Sequence, residues 1–126
     1  MGAYTHKRID DLASIHEGLV KLAGAELGVE SFGLQVLDLP PGFAHYPEHD
    51  HAADGQEEVY VLVRGAAEFT VAGERLALAE GDVLRVAPEA RRTVRPGPDG
   101  ARVLAIGCVP GGAYERPEDF RVEVGA

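Results

Sequence analysis

Turn-forming residues at short, regular intervals constrain the fold of this chain more than any other feature of its sequence. The 126 residues include 16 Gly and 8 Pro, which interrupt the chain at intervals of roughly 8–12 residues. Short runs rich in Val, Leu and aromatic residues lie between these interruptions. The runs are SFGLQVLDL, EEVYVLV, AAEFTVA, ERLALA, DVLRVA, RTVR and ARVLAIG. Evenly spaced short strands separated by turns predict an all-β sandwich or barrel.

Two of the interruptions are typical of antiparallel hairpins. Arg64-Gly65 separates EEVYVLV from AEFTV, and Ala72-Gly73-Glu74 separates AEFTV from RLALA. Both have the length and the glycine that a tight connection between neighbouring strands requires. We therefore expect the chain to reverse direction at each of them.

Residues 9–27 contain the one stretch with helical periodicity. Apolar residues recur there every three or four positions, namely Leu12, Ile15, Leu19 and Leu22. Gly18 and Gly24 interrupt the pattern, so it predicts a short helix or turn, and LVKLAG is equally compatible with a strand. For the tail after Gly111 we expect a loop followed by an edge segment.

Length and charge indicate one soluble domain spanning 1–126, with a core barrel at about 31–109, an N-terminal segment at 1–30 and a C-terminal tail at 110–126. The formal net charge of −9 argues against a nucleic-acid partner, because phosphate binding requires a basic surface. No run approaches the roughly 20 apolar residues of a membrane span, and the N-terminus lacks the apolar core of a signal peptide. Cys108 is the only cysteine. These features predict a cytoplasmic protein without disulfides or membrane contact.

The run from Glu58 to Arg64 predicts that another segment or a second chain packs against the outside of the barrel. In a strand, Glu58, Tyr60 and Leu62 lie on one face and Val59, Val61 and Val63 on the other. Both faces are largely apolar, so both need cover. If one lines the barrel, the other packs against the N-terminal segment or a second copy of the chain. We therefore predict a homodimer.

The segment HYPEHDH and the strand after it contain the residues best suited to bind a metal. His45, His49 and His51 are odd-numbered, so an extended backbone points their side chains to one side. His49 and His51 lie roughly 6.5–7 Å apart along such a strand, close enough for both imidazoles to reach one ion at about 2.1 Å. A hairpin would bring the Glu58 carboxylate beside them. Two imidazoles and a carboxylate suit Fe, Mn, Ni, Cu or Zn and leave coordination positions open.

These residues carry a resemblance to the cupin family. The segment PPGFAHYPEHDHAADGQEEVYVLVRG resembles the first cupin motif, with Gly42, His49, His51, Glu58 and Gly65 at its characteristic positions. GDVLRVAPEARRTV resembles the second motif, a Gly-Asp strand followed by a Pro turn. The resemblance covers about residues 40–95. It implies a double-stranded β-helix, or jelly roll, with a metal in the mouth of the barrel.

The second motif departs from the family pattern at its metal ligand. Where the resemblance implies a fourth ligand, a histidine, this chain has Arg92, or Thr93 if the alignment shifts by one residue. Three alternatives follow. His45 supplies the missing imidazole, or three protein ligands and water hold the metal, or Arg92 pairs with Glu58 and no metal binds.

The sequence therefore predicts a small metal-binding cupin that binds or acts on a small polar or anionic molecule in the barrel mouth. Arg92 and Tyr60 are candidate substrate-binding residues, because a guanidinium binds anions through a planar fork and Tyr60 shares the face of Glu58. The alternative is a non-catalytic binding or sensing module that has lost its metal. The resemblance does not select a reaction, since one fold supports many.

Overall fold

The structure, a computed structural model, describes residues 2–122 and confirms the predicted all-β class. Its strands are β1 (Ser14–Ile15), β2 (Val20–Lys21), β3 (Gly33–Leu39), β4 (Glu57–Val71), β5 (Glu74–Leu78), β6 (Val83–Val86) and β7 (Arg92–Cys108). The helical elements are α1 (Ala23–Leu27) and two 3₁₀ turns, Ile9–Asp11 and Glu118–Phe120. The N-terminal segment thus contains the expected short helix, and Val20–Lys21 of LVKLAG is a strand. Within residues 2–122, no helix has the length and apolar character needed to cross a membrane.

The strands form one antiparallel sheet in the order β1-β2-β3-β7-β4-β5, and β6 pairs with β4. Two long strands organise it. The first part of β4 lies between β6 and β7, and its last part lies between β5 and β7. The start of β4 therefore has neighbouring strands on both sides. These two strands hold the backbone of Glu58 in place.

The hairpin predicted at Ala72-Gly73-Glu74 is confirmed, and the one predicted at Arg64-Gly65 is wrong. Val71 and Glu74 pair across a tight turn in which Ala72 and Gly73 both have positive φ. At Gly65, by contrast, β4 continues and only its register against β7 shifts.

A close approach of two backbones explains the glycine at this irregularity. A Cβ at position 65 would lie 2.2 Å from the carbonyl oxygen of Gly100. The glycine therefore allows β4 and β7 to approach closely at a local bulge, and the chain does not reverse direction there.

The inner face of the sheet forms the core. Tyr60, Leu62, Phe69, Val94 and Val103 are each at most 3% exposed, and they belong to one apolar cluster. The alternation in β4 therefore points Glu58, Tyr60 and Leu62 inward, as the sequence predicts. Glu58 is a buried polar residue at the edge of this face, toward the barrel mouth.

The N-terminal segment covers one part of the outer face. Leu12 and Ala23 form a second buried cluster with Val36 of β3, and Leu104 of β7 packs against it. The cover does not extend over all of β4 and β6, because Val63 is 43% exposed and Val83 is 70% exposed.

Candidate metal centre at the barrel mouth

The backbone of the histidine segment is held by the start of β7 and the turn before it. His49 and Arg92 exchange two backbone hydrogen bonds, with N···O distances of 3.0 and 2.8 Å. The His51 N–H donates to the carbonyl of Pro88 over 2.7 Å. The irregular segment thereby acquires strand-like partners, and His49 and His51 face the same side of it.

Glu58 reaches the histidines from β4. It pairs with Val86 of β6 on one side and Gly107 of β7 on the other. One ligand atom from each of His49, His51 and Glu58 lies within 4.8 Å of the other two. The structure therefore brings together three of the four residues that the sequence predicts as candidate metal ligands.

Each imidazole of the cluster is anchored through its Nδ1 atom. Nδ1 of His49 lies 3.2 Å from the carbonyl oxygen of Pro47. Nδ1 of His51 lies 3.0 Å from Oδ1 of Asp54. With Nδ1 engaged by an acceptor, Nε2 is the nitrogen left to ligate a metal once it gives up any proton it carries, and such partners orient metal-ligating histidines in general.

One oxygen of Glu58 has three polar neighbours. Oε1 accepts hydrogen bonds from the Tyr60 hydroxyl (2.6 Å) and from Nη1 of Arg92 (2.9 Å), and it lies 3.2 Å from Nε2 of His51. Burial raises the pKa of Glu58, but the contacts with His51, Tyr60 and Arg92 outweigh it and leave this pKa below its ordinary value. The hydrogen bond to Glu58 in turn raises the pKa of His51, and burial together with Glu58 raises that of Tyr60.

Arg92 is held inside the protein by polar contacts. Its side chain is 1% exposed, and its Nη2 donates to the carbonyl of Ala87 over 2.7 Å. Its Nε is buried without a partner, the one such side-chain atom among residues 2–122. An orphaned buried donor costs about 1–3 kcal/mol, which the contacts of the other two guanidinium nitrogens must offset.

The remaining predicted site residues lie outside the cluster. His45 is exposed and lines the same cavity, but the structure does not bring it to the other three ligands. Arg92 and Tyr60 contact Glu58, and neither is among the described residues that line the cavity. Direct substrate contacts by these two side chains stay predictions.

A cavity of about 890 Å³ opens beside the cluster, within the usual range of small-molecule sites. Most of its wall is apolar and comes from distant parts of the chain. The apolar lining includes Leu19, Val20, Leu37, Phe43, Ala105 and Phe120. Tyr46 also lines it, and burial, followed by the charge of Glu58, raises the pKa of Tyr46 to about 12.

Sequence reasoning missed Asp54 and the contribution of the C-terminal tail. Asp54 follows His51 by three residues in a turn. An acidic residue this close to a candidate ligand is the sequence signal that could have identified it. Tyr114, Pro117 and Phe120 close one side of the cavity, and no pattern in the tail indicates this, because it depends on long-range packing.

The residues fit a divalent metal. Two imidazoles with anchored Nδ1 atoms and one ionised carboxylate are a recognised donor set for transition metals, and the polar neighbours supply the supporting contacts such sites need. The ion pair between Arg92 and Glu58 is unusual, because such a site does not ordinarily include an arginine paired with its carboxylate.

Comparisons with known proteins agree with this architecture. The family model described as a cupin domain matches residues 35–107, more than half of the chain. A cupin protein from Bacteroides fragilis superposes with a TM-score of 0.71 at 23% identity, covering 100% of both chains. An RmlC-like cupin from Shewanella frigidimarina superposes at 0.56 and 22% identity, covering 72% of each chain.

A third similar structure belongs to an enzyme. A DMSP lyase from Ruegeria pomeroyi superposes with a TM-score of 0.55 at 26% identity, over 62% of this chain and 38% of the lyase. The chain thus matches well under half of that enzyme's length. No curated protein matches the chain in sequence. Together these matches show an all-β jelly-roll barrel, as the sequence predicts.

Proposed function

Because the chain belongs to the cupin domain family, we propose that it is a metal-dependent enzyme acting on a small polar or anionic molecule in the barrel mouth. The observation that carries this proposal is the cluster of His49, His51 and Glu58, in which both imidazoles are anchored through Nδ1. The cluster faces a largely apolar cavity that can hold a small molecule.

The donor set supports Fe, Mn, Ni, Cu or Zn as the metal. The contacts of Glu58 with Tyr60, Arg92 and His51 all involve Oε1. None of them uses Oε2, which is therefore the oxygen we expect an ion to take. Three protein ligands leave positions for water or substrate, as catalytic metal sites do. A bound ion would supply Lewis acidity or, with a redox metal, a site for dioxygen.

Elemental analysis tests this proposal. We expect untagged protein purified without chelator to contain close to one equivalent of a transition metal per chain. His51→Ala should lose it, while the matched variant His45→Ala should retain it, because His45 lies outside the cluster. Full metal content in His51→Ala would contradict the proposal. Loss in His45→Ala would favour a four-ligand centre instead.

The ion pair between Arg92 and Glu58 favours a second candidate, a metal-free binding or sensing module. In this alternative the guanidinium already satisfies the carboxylate, and the barrel binds its small molecule without catalysis. Protein that takes up no metal, even after reconstitution, but binds a small anion in the cavity would support it.

We also propose that the protein works in the cytoplasm as a homodimer. The acidic composition and the absence of long apolar runs in the sequence support the location. The exposed apolar side chains of Val63 and Val83 support the dimer.

A further inference from the structure

The charge balance around Glu58 differs from what a divalent ion at this site would need. Glu58 is the only ionised group among the three ligands, since a ligating imidazole is neutral. Its charge is already paired with Arg92, whose guanidinium lies 2.9 Å from Oε1 and is 1% exposed. Because the pair is buried, solvent screens it poorly. An ion held by these ligands would therefore keep nearly its full double charge.

The other acidic groups near the site are exposed to solvent. They therefore do not supply the missing negative charge from inside the barrel. Asp54 contacts Nδ1 of His51, but its side chain is 50% exposed. Glu17 lines the cavity and is likewise exposed. Water screens both carboxylates, so their effect on an ion beside Glu58 is weak.

His49, His51 and Glu58 all line the cavity, which is where compensating charge can enter. The lining there is mostly apolar, with Leu37, Phe43 and Phe120 among its larger side chains. An inorganic anion would satisfy the charge but leave these walls uncovered. A small organic anion with an apolar body satisfies both.

On this basis, and resting on the proposed metal site, we propose that the substrate class is a small carboxylate with an apolar body, and that metal and carboxylate bind cooperatively because Arg92 neutralises Glu58. Arg92 is a positioning residue in this scheme. It contacts Glu58 and contributes charge, and it does not contact the substrate. The cost of its partnerless Nε is consistent with a position selected for this purpose.

The experiment measures Co²⁺ affinity of the metal-free protein by visible absorption of the bound ion, in a non-coordinating buffer. Benzoate serves as the apolar carboxylate, benzamide as its uncharged analogue and sulfate as an anion without an apolar body. Formation of Co²⁺–benzoate in solution is measured without protein and subtracted. We expect benzoate to tighten Co²⁺ binding by about tenfold or more, a typical coupling between two sites, and benzamide to leave it unchanged.

Variants separate the role of Arg92 from general effects. Arg92→Gln should bind Co²⁺ more tightly in the absence of benzoate, and the effect of benzoate should fall severalfold. The adjacent Arg91→Gln is the matched control, since Arg91 is 56% exposed and pairs with Glu48 and Asp50 on the surface. It should retain the wild-type response. If Arg92→Gln does not fold, the comparison of benzoate with benzamide in the wild-type protein still tests whether metal and carboxylate bind cooperatively.

Each outcome bears on a different part of the proposal. Equal Co²⁺ affinity in benzoate and benzamide would overturn the inference and leave the metal site intact. If sulfate tightens Co²⁺ binding as much as benzoate does, the claim that the substrate has an apolar body would be overturned. No Co²⁺ binding under any condition would overturn the proposed function and this inference with it.

Discussion

At the scale of single residues, Glu58 and Arg92 form a buried pair whose members depend on each other. Glu58 lies on the inner face of the sheet, where an ionised carboxylate is costly unless it is paired and hydrogen-bonded. Tyr60, His51 and Arg92 provide those contacts. The same contacts hold the carboxylate toward His49 and His51, so stability and the proposed metal binding use the same side chain.

Removing the carboxylate should therefore destabilise the metal-free protein strongly. We expect Glu58→Ala to lower the free energy of unfolding by about 3–5 kcal/mol, because it leaves the Arg92 guanidinium buried without a counter-charge. Glu48→Ala is the matched control. The Glu48–Arg91 pair is about half exposed on both sides, and such pairs contribute about 0–1 kcal/mol. Chemical denaturation of both variants measures the difference, and equal losses would contradict the assigned role of the pair.

Alternation along the chain made the clustering of the three candidate ligands predictable from the sequence. His49 and His51 share a parity, and Glu58 shares one with Tyr60 and Leu62, so the side of the backbone each faces follows from strand geometry. The contacts of Arg92 do not follow from the sequence, because periodicity places a side chain on a face without determining what it contacts there. In the ladder between β4 and β7, Arg92 lies opposite Val71 and Glu58 opposite Gly107, so their pairing joins residues that are not neighbours in the ladder.

At the scale of elements, two glycines with similar conformations have different roles. Gly65 and Gly73 have φ values of +85° and +82°, and each follows a residue that could begin a turn. Gly73 belongs to a hairpin, whereas Gly65 lies within β4, against the backbone of Gly100. The sequence could not distinguish them, because the distinguishing contact is made with a residue 35 positions away.

Alanine substitution should separate these two roles. At Gly73 a Cβ would meet nothing within 4 Å, so we expect Gly73→Ala to cost about 1 kcal/mol, mostly from the positive φ. At Gly65 the added Cβ would overlap the Gly100 carbonyl, so Gly65→Ala should cost about 2–4 kcal/mol. Thermal or chemical unfolding measures both, and a smaller loss for Gly65→Ala would show that β4 and β7 separate there easily.

At the scale of the whole molecule, the N-terminal segment covers part of the outside of the barrel and also lines the cavity together with the C-terminal tail. The N-terminal cluster of Leu12 and Ala23 packs on the outside of β3, while Phe120 of the tail lines the cavity. Neither covers Val63 and Val83. Among the strands described, β6 pairs with β4 alone, so its other edge is also available to a second copy of the chain.

We expect a charge on this surface to prevent self-association. Val83→Asp should convert a dimer into a monomer at micromolar concentration, because an isolated carboxylate would be buried at the interface. Ala77→Asp, on the exposed side of β5, is the control and should remain dimeric. Sedimentation equilibrium of the three proteins measures the masses, and a monomeric wild-type protein would contradict the homodimer.

In the proposed function, His49, His51 and Glu58 bind one metal ion and His45 does not. A crystal structure of the Co²⁺-loaded protein, with anomalous scattering collected at the cobalt edge, tests it most directly. We predict a single anomalous peak about 2.1 Å from Nε2 of both His49 and His51, with a carboxylate oxygen of Glu58 as the third protein ligand. A peak bonded to His45, a peak elsewhere on the surface, or no peak with the Arg92–Glu58 pair still closed would contradict the account.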